Sequence, residues 1–276
     1  MMKKVLLIML ALLFTAVLSA EASQLTWAGC GISKNAFMKE MSQAYKDKTG
    51  VDIQLRGGGA TKGIRTIADG TNDIGGACRH KMDIPEEAGA VMHHVAWDAL
   101  VIIVNKANPI DGLTSDQVRD IYTGKIKNWK ELGGTDDIIK LHVRKGKSSG
   151  VGMTLRQSLF KDVNAKFTDN AIVKKSSGPL EKAVSNLTTA IGATGISSAV
   201  KRDDIKILAI DGVMPTKEGV MTGKYPFYRP LYLVSNLQAT DEVKKFIDFV
   251  KSSEGQSIIS SEGTINIAEG SKLSLD

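Results

Sequence analysis

Residues 57–65 read Gly-Gly-Gly-Ala-Thr-Lys-Gly-Ile-Arg and follow an alternating segment, Val51-Asp52-Ile53-Gln54-Leu55. Glycines at a strand-to-helix turn let the backbone fold back sharply and aim N–H groups outward, and the helix start adds a partial positive charge. The chemistry such a turn offers is capture of an anion. A second stretch, Arg144-Lys145-Gly146-Lys147-Ser148-Ser149-Gly150-Val151, follows the apolar segment 139–143 and precedes a helical pattern, forming another basic, Ser/Gly-rich socket. The nucleotide-binding pattern Gly-x-x-x-x-Gly-Lys-Ser/Thr is absent.

Cys30 and Cys78 are the only cysteines, and each lies in a turn just after a short strand, within Gly29-Cys30-Gly31 and Ala77-Cys78-Arg79-His80. In an oxidising compartment they can join as a disulfide; left open, they place two thiols at one cleft. Cys30, Cys78 and His80 match no standard zinc spacing, so no metal is expected. His93, His94 and His142 lie in strand contexts and read as structural. There is no Cys-x-x-Cys, no Ser-His-Asp cluster and no pair of metal-binding carboxylates, so the chain does not read as an enzyme. A thiol-dependent secreted enzyme stays as the minor alternative.

Alternating strands and helices must hold these turns. A strand over 25–28 turns at 29–31 into an amphipathic helix over 33–48, with Phe37, Met41 and Tyr45 four residues apart and Gly50 as its stop. The unit repeats through a strand over 51–55 and a helix over 61–68, and a third strand covers 73–77. Such alternation implies a parallel sheet with crossovers, and ligands of these sheets sit at the carboxyl ends of the strands. The turns 29–32, 59–63 and 77–80 therefore converge. The run 93–105 is longer than one lobe's sheet requires and reads as a crossing between lobes, with 225–233 as the return. Between them lie a helix over 113–122 capped by Thr114, a strand over 139–143 and a helix over 152–160. One closing helix is expected over 241–260. The expected fold class is α/β with lobe I over 23–98 plus 230–276 and lobe II over 99–229.

With 42% hydrophobic and 24% charged residues, and 27 glycines against 6 prolines, the chain belongs to the globular class and is long enough for two modest lobes. Residues 1–22 carry Lys3 and Lys4, an apolar run over 5–18 and small residues around Ser19-Ala20-Glu21-Ala22, as a secretory signal peptide does. That run falls short of the ~20 residues a membrane span needs. Trp27, and polar residues between it and the apolar run, argue against Ala28-Gly29-Cys30 as a lipid-attachment box. Losing Lys3, Lys4 and Glu21 lowers the formal charge of +6 by one, leaving a mildly basic periplasmic protein suited to an anionic ligand. With 5% aromatics and no run of five basic residues, nucleic acid is excluded as a partner.

Taken in order, the chain resembles the periplasmic phosphate-binding proteins of ABC importers. The resemblance rests on Leu25-Thr26-x-Ala28-Gly29, the glycine turn 57–63, Asp73-Ile74-Gly75, Asp98-Ala99-Leu100, Leu113-Thr114, Gly124-Lys125-Ile126-Lys127-Asn128-Trp129, Ser149-Gly150, Ala190-Ile191-Gly192, Tyr225-Pro226, Arg229-Pro230-Leu231-Tyr232 and Ser253-Glu254-Gly255-Gln256. It implies a two-lobed periplasmic binding protein fold, type II-like, with two crossing hinge strands, closing on a dehydrated oxyanion without a cofactor. The partner implied is an ABC transporter permease or a membrane sensor kinase. Carried onto this sequence, the ligand contacts fall at Cys30, the Gly31 and Ile32 backbone, Thr61, Cys78, Arg144 or Lys145, Ser149, Gly150 and Val151. Spacing to Ser149-Gly150 favours Lys145; a forked donor favours Arg144. The family usually carries Ser or Thr at the places of Gly31 and Val151, and Asp or Ser at that of Cys78. Relatives that sense arsenic oxyanions make arsenite or arsenate the alternative ligand of a thiol-lined pocket, alongside phosphate.

Overall fold

One strand of 16 residues, Ala90–Asn105, runs through both halves of the molecule, and from Val95 to Val104 every residue is buried. A continuous apolar run of this kind is what a strand covered on both faces requires. The computed structural model describes residues 24–274. The expected signal segment 1–22 lies outside the described residues.

The strands are β1 (Gln24–Gly29), β2 (Asp52–Gly57), β3 (Ile74–Ala77), β4 (Ala90–Asn105), β5 (Gly112–Leu113), β6 (Lys140–Arg144), β7 (Ile172–Lys174), β8 (Ala190–Gly195), β9 (Ile205–Ile207), β10 (Ala209–Ile210), β11 (Tyr228–Asn236) and β12 (Ile265–Asn266). The α-helices are α1 (Gly31–Ser33), α2 (Lys39–Thr49), α3 (Ala60–Ala68), α4 (Ser115–Thr123), α5 (Gly150–Phe160), α6 (Ser177–Ser185), α7 (Ile196–Ala199), α8 (Lys217–Met221), α9 (Asp241–Lys251) and α10 (Ser253–Ser261). The main sheet runs β2-β1-β3-β11-β4-β8-β6-β7. Parallel pairing within β2-β1-β3 and within β8-β6-β7 brings the strand-to-helix turns of each group to one edge. The antiparallel strands β4 and β11 join the two groups.

Two apolar cores sit on this frame. The first packs Trp27, Ile32, Phe37, Met41, Ile64, Leu233 and Phe246 together; the second gathers Leu100, Ile102, Tyr122, Trp129, Leu155, Leu180 and Ile191. The division falls inside β4, with Ala96 in the first core and Trp97 in the second. Each core has its own helices and strands, so the molecule is an α/β structure of two lobes.

Local differences from the sequence reading have clear causes. The first helix begins two residues early and passes through a π-turn at Lys34–Met38 before α2. The expected single closing helix breaks at Ser252, whose ψ of 165° is extended. Its hydroxyl accepts from the Gly255 N–H, ending α9 and capping α10 in one residue. This is the ordinary competition of serine with the helical backbone.

Helix α3 lies against the sheet at Gly63. A Cβ placed there would stand 2.4 Å from the Gly76 carbonyl oxygen and 2.9 Å from that of Ala28, both backbone atoms of β3 and β1. Because those strands cannot recede, Gly63→Ala is expected to cost about 1–3 kcal/mol of stability, as overpacking usually does. A thermal or urea unfolding curve tests this; an unchanged midpoint would contradict the close packing of α3.

Candidate functional site

Four helical starts point into a hollow between the lobes. Its lining comprises Cys30 and Gly31 at the start of α1, Gly57 to Ala60 before α3, Gly150 and Val151 of α5, and Ser176 to Gly178 at the start of α6, with Cys78 and Arg144 completing the wall. The first backbone N–H groups of a helix have no partner within it, so these termini turn donors and positive dipole ends toward the cavity. The volume is about 360 Å³, room for a small ion and several waters at about 30 Å³ each.

Arg144 is the last residue of β6 and is 7% exposed. Its Nε and Nη1 have no hydrogen-bond partner among the described residues. Its Nη2 lies 3.7 Å from where a Cβ on Gly59 would stand, so the guanidinium reaches over to the glycine turn of the opposite lobe. Burial lowers its affinity for a proton, while Cys78 and Cys30 act in the opposite direction. A planar cation with unused donors in a buried hollow is suited to accept two oxygens of one anion.

Cys30 and Cys78 are free and buried, and both line the hollow. Burial pushes Cys30 up, but hydrogen bonds from Cys78 and Ser33, together with the charge of Arg229, bring it down to about 6. Ser33 serves it twice, with its N–H at 3.3 Å and its hydroxyl at 3.0 Å from Sγ. Cys78 moves far the other way, because its hydrogen bond to Cys30, then burial, disfavour a second negative charge. The two titrations are pushed apart, with Cys30 the first to lose its proton. On the far side, a Cβ on Gly150 would fall 2.3 Å from the Cys78 Sγ, so only glycine lets α5 approach this closely.

Below the hollow, Arg229 of β11 pairs with Asp98 of β4 at 2.9 Å, both fully buried. Burial raises the Asp98 carboxyl, and Arg229 and the Ser197 N–H counter it. The Arg229 Nε and Nη1 remain without partners among the described residues.

Of the residues expected from sequence, Cys30, Gly31, Cys78, Arg144, Gly150 and Val151 line the hollow, whereas Ile32, Thr61, Lys145 and Ser149 do not. The side chain of Ile32 is in the first core. The Thr61 hydroxyl donates to the Ser148 carbonyl at 2.9 Å, leaving its helix-start amide as the group nearest a ligand role. Lys145 is exposed and its N–H joins β6 to Lys174, so the choice between Arg144 and Lys145 goes to Arg144. The Ser149 hydroxyl is committed to capping α5 through Gly152 N at 3.0 Å. Between the disulfide and the open-thiol readings, the structure has the two cysteines as free thiols. His80 is turned away to the Tyr232 hydroxyl at 2.9 Å. No group of three metal-binding side chains occurs among the described residues. Sequence reasoning missed Ser176, Ser177 and Gly178, whose only local signal is the Ser-Ser-Gly-Pro run that opens α6.

The model of the PBP superfamily domain matches residues 18–254. The phosphate-binding protein PstS of Bacillus subtilis (strain 168) is 30% identical over 90% of this chain and 82% of its own length. The chain belongs to the phosphate-binding protein family. The PstS of Borreliella burgdorferi is 28% identical over 96% of this chain and 99% of its own. A solved family structure from Clostridium perfringens, named for phosphate ABC transport and carrying bound phosphate, superposes with a TM-score of 0.79 at 33% identity, over 88% of this chain and 99% of that one. A phosphate transport receptor from Vibrio cholerae gives a TM-score of 0.67 at 28% identity, covering 88% and 100%. Within this family frame the hollow between the lobes is the position of interest. Among the described residues no helix is long and apolar enough to cross a membrane.

The paired sulfurs make a direct prediction. Followed by thiolate absorbance against pH, one thiolate appears with a midpoint of about 6 and the second only well above the ordinary cysteine range. Two midpoints near the unperturbed value of about 8.5 would show that the two titrations are not pushed apart.

Proposed function

We propose that this protein is an exported receptor that captures phosphate, or a closely similar tetrahedral oxyanion, and delivers it to an ABC transporter permease. The hinge crossings fall at 98/99 and 229/230, between lobe I over 23–98 plus 230–276 and lobe II over 99–229. The observation that carries the reading is Arg144, a buried guanidinium with two unused nitrogens in a hollow walled by helix starts. Those groups replace the hydration shell of a small anion without moving charge far. The names of the relatives in Bacillus subtilis and Borreliella burgdorferi, and the bound phosphate of the Clostridium perfringens structure, support the same ligand.

Lobe closure is the mechanism. The Ser148 carbonyl accepts from Thr61 Oγ1 at 2.9 Å and Arg79 Nε at 2.7 Å, both from the opposite lobe. At another point of the rim, Asn35 Nδ2 donates to Ser198 Oγ at 3.2 Å, and Lys201 Nζ to the Asn35 carbonyl at 2.8 Å. An anion touching helix starts from both lobes binds the closed form better and shifts the population toward it.

Calorimetric titration with phosphate and sulfate tests the receptor. Arg144→Ala is expected to weaken phosphate binding by roughly 10- to 100-fold, the range for losing hydrogen bonds from a charged donor. Wild-type protein that ignores both anions would end the proposal.

The contact between Cys30 and Cys78 favours a second reading, trivalent arsenic as ligand. Each sulfur would displace one hydroxide of arsenous acid as water, forming two As–S bonds. Arsenite binding that survives Cys30→Ser and Cys78→Ser together would exclude it.

A further inference from the structure

A second hollow shares no lining residue with the first, although two segments of chain pass from one to the other. Cys78 lines the first and Arg79 the second; Gly150 and Val151 line the first, Met153 and Thr154 the second. Its volume is about 500 Å³, within the range of roughly 300–1,000 Å³ that small-molecule sites occupy and far more than an inorganic ion fills. One wall is a single stripe of α5 and its C-terminal cap. Met153, Thr154, Gln157, Ser158 and Lys161 recur there at the spacing of one helix face. Leu155 and Leu159 are the residues that join this helix to the second core, so the stripe is not a folding surface. Arg79 and His80 after β3, and Pro226, Tyr228, Arg229 and Pro230 around the start of β11, form the other walls.

The lining carries Arg79, Lys161 and Arg229 and no carboxylate. What each cation offers depends on its partners. Arg79 is fully engaged, with Nη1 and Nη2 on Glu87 at 2.9 and 2.6 Å and Nε on the Ser148 carbonyl at 2.7 Å. Glu87 also takes Arg65 Nε at 3.4 Å, so two guanidiniums outweigh that one carboxylate. Lys161 is exposed, and the neighbouring Asp162 carboxylate accepts from the Asn164 N–H at 2.8 Å. Arg229 is only 1% exposed; its Nη2 holds Asp98 at 2.9 Å, while Nε and Nη1 have no partner among the described residues. Buried donors of a charged group rarely go without an acceptor. The rest of the lining is of another kind: Met153, Val163, the two prolines and the ring of Tyr228 are apolar, and Tyr228 stands edge-on to Trp97 at 5.8 Å between centroids. An anionic head with an apolar body fits both kinds of wall at once, where a bare ion fits only one.

We propose that this second hollow binds a small organic carboxylate, its head drawn to Arg229 and Lys161 and its apolar body lying along the α5 stripe against Pro226, Tyr228 and Pro230. The carboxylate gives Arg229 the acceptor it lacks, in a place where charge-assisted hydrogen bonds are strong. Thr154, Gln157 and Ser158 add neutral donors and acceptors along the body. The site does not depend on which ion the first hollow captures.

Saturation-transfer NMR of the mature protein with benzoate, phenylacetate and indole-3-acetate, each compared with its neutral amide, tests the site. At least one acid is expected to bind about tenfold or more tightly than its amide. Lys161→Glu, a charge reversal at an exposed position, is expected to weaken that binding by about threefold or more. Thr154→Trp, shown by circular dichroism to be folded, is expected to fill the hollow and abolish binding, while Arg144→Ala leaves it unchanged. The proposal is overturned if no acid binds up to about 10 mM, or if the amides bind as well as the acids. Binding untouched by Lys161→Glu or by folded Thr154→Trp would overturn it too, and binding lost in Arg144→Ala would place the acids in the first hollow instead.

Discussion

The buried pair of Asp98 and Arg229 is the interaction on which the arrangement of both lobes depends. It links β4 to β11 at the level where the two apolar cores separate, and takes in the Ser197 N–H at the start of α7. Two charges in such a place cost several kcal/mol each to desolvate, so neither is tolerable without the other. The pairing fixes the register of the crossing strands. It also holds a guanidinium, with two nitrogens unclaimed among the described residues, whose charge reaches the two thiols. That charge adds to larger causes: to the hydrogen bonds that lower Cys30 against its burial, and to the burial that lowers the proton affinity of Arg144.

The lining of the hollow offers backbone groups more than side-chain donors. Gly31, Gly59, Ala60, Gly150 and Val151 have no hydroxyl to offer, so helix-start amides and one arginine must serve, with Ser176 and Ser177 on the remaining side. A donor set built from amides is rigid and pre-aimed, which limits reorganisation on binding. It also leaves the local charge balance to a few ionisable groups.

Much of this was legible from residues alone, because local rules govern it. The glycine turn at 57–63 and the Ser149-Gly150 helix start follow from strand-turn-helix chemistry, and the long crossing at β4 from an unbroken apolar run. What escaped depends on directions and distances that sequence does not carry. Spacing favoured Lys145, yet β6 is buried from Leu141 through Arg144, and Lys145, just past its end, is exposed. Thr61 and Ser149 look like ligand hydroxyls, but one is used across the lobes and the other inside its own helix. The contribution of α6 needs the placement of β7 and β8 in the second lobe, a long-range matter. The break at Ser252 was missed because the apolar periodicity of α9 and α10 runs on past it.

The carbonyl of Ser148 joins the two lobes directly. It takes donors from two residues of the facing lobe, Thr61 and Arg79, so the shut shape has direct lobe-to-lobe adhesion. Such a clasp slows escape of the cargo as well as raising its retention. Parting the lobes therefore means breaking both bonds to this one oxygen, which ties the rate of opening to a loop beside the hollow.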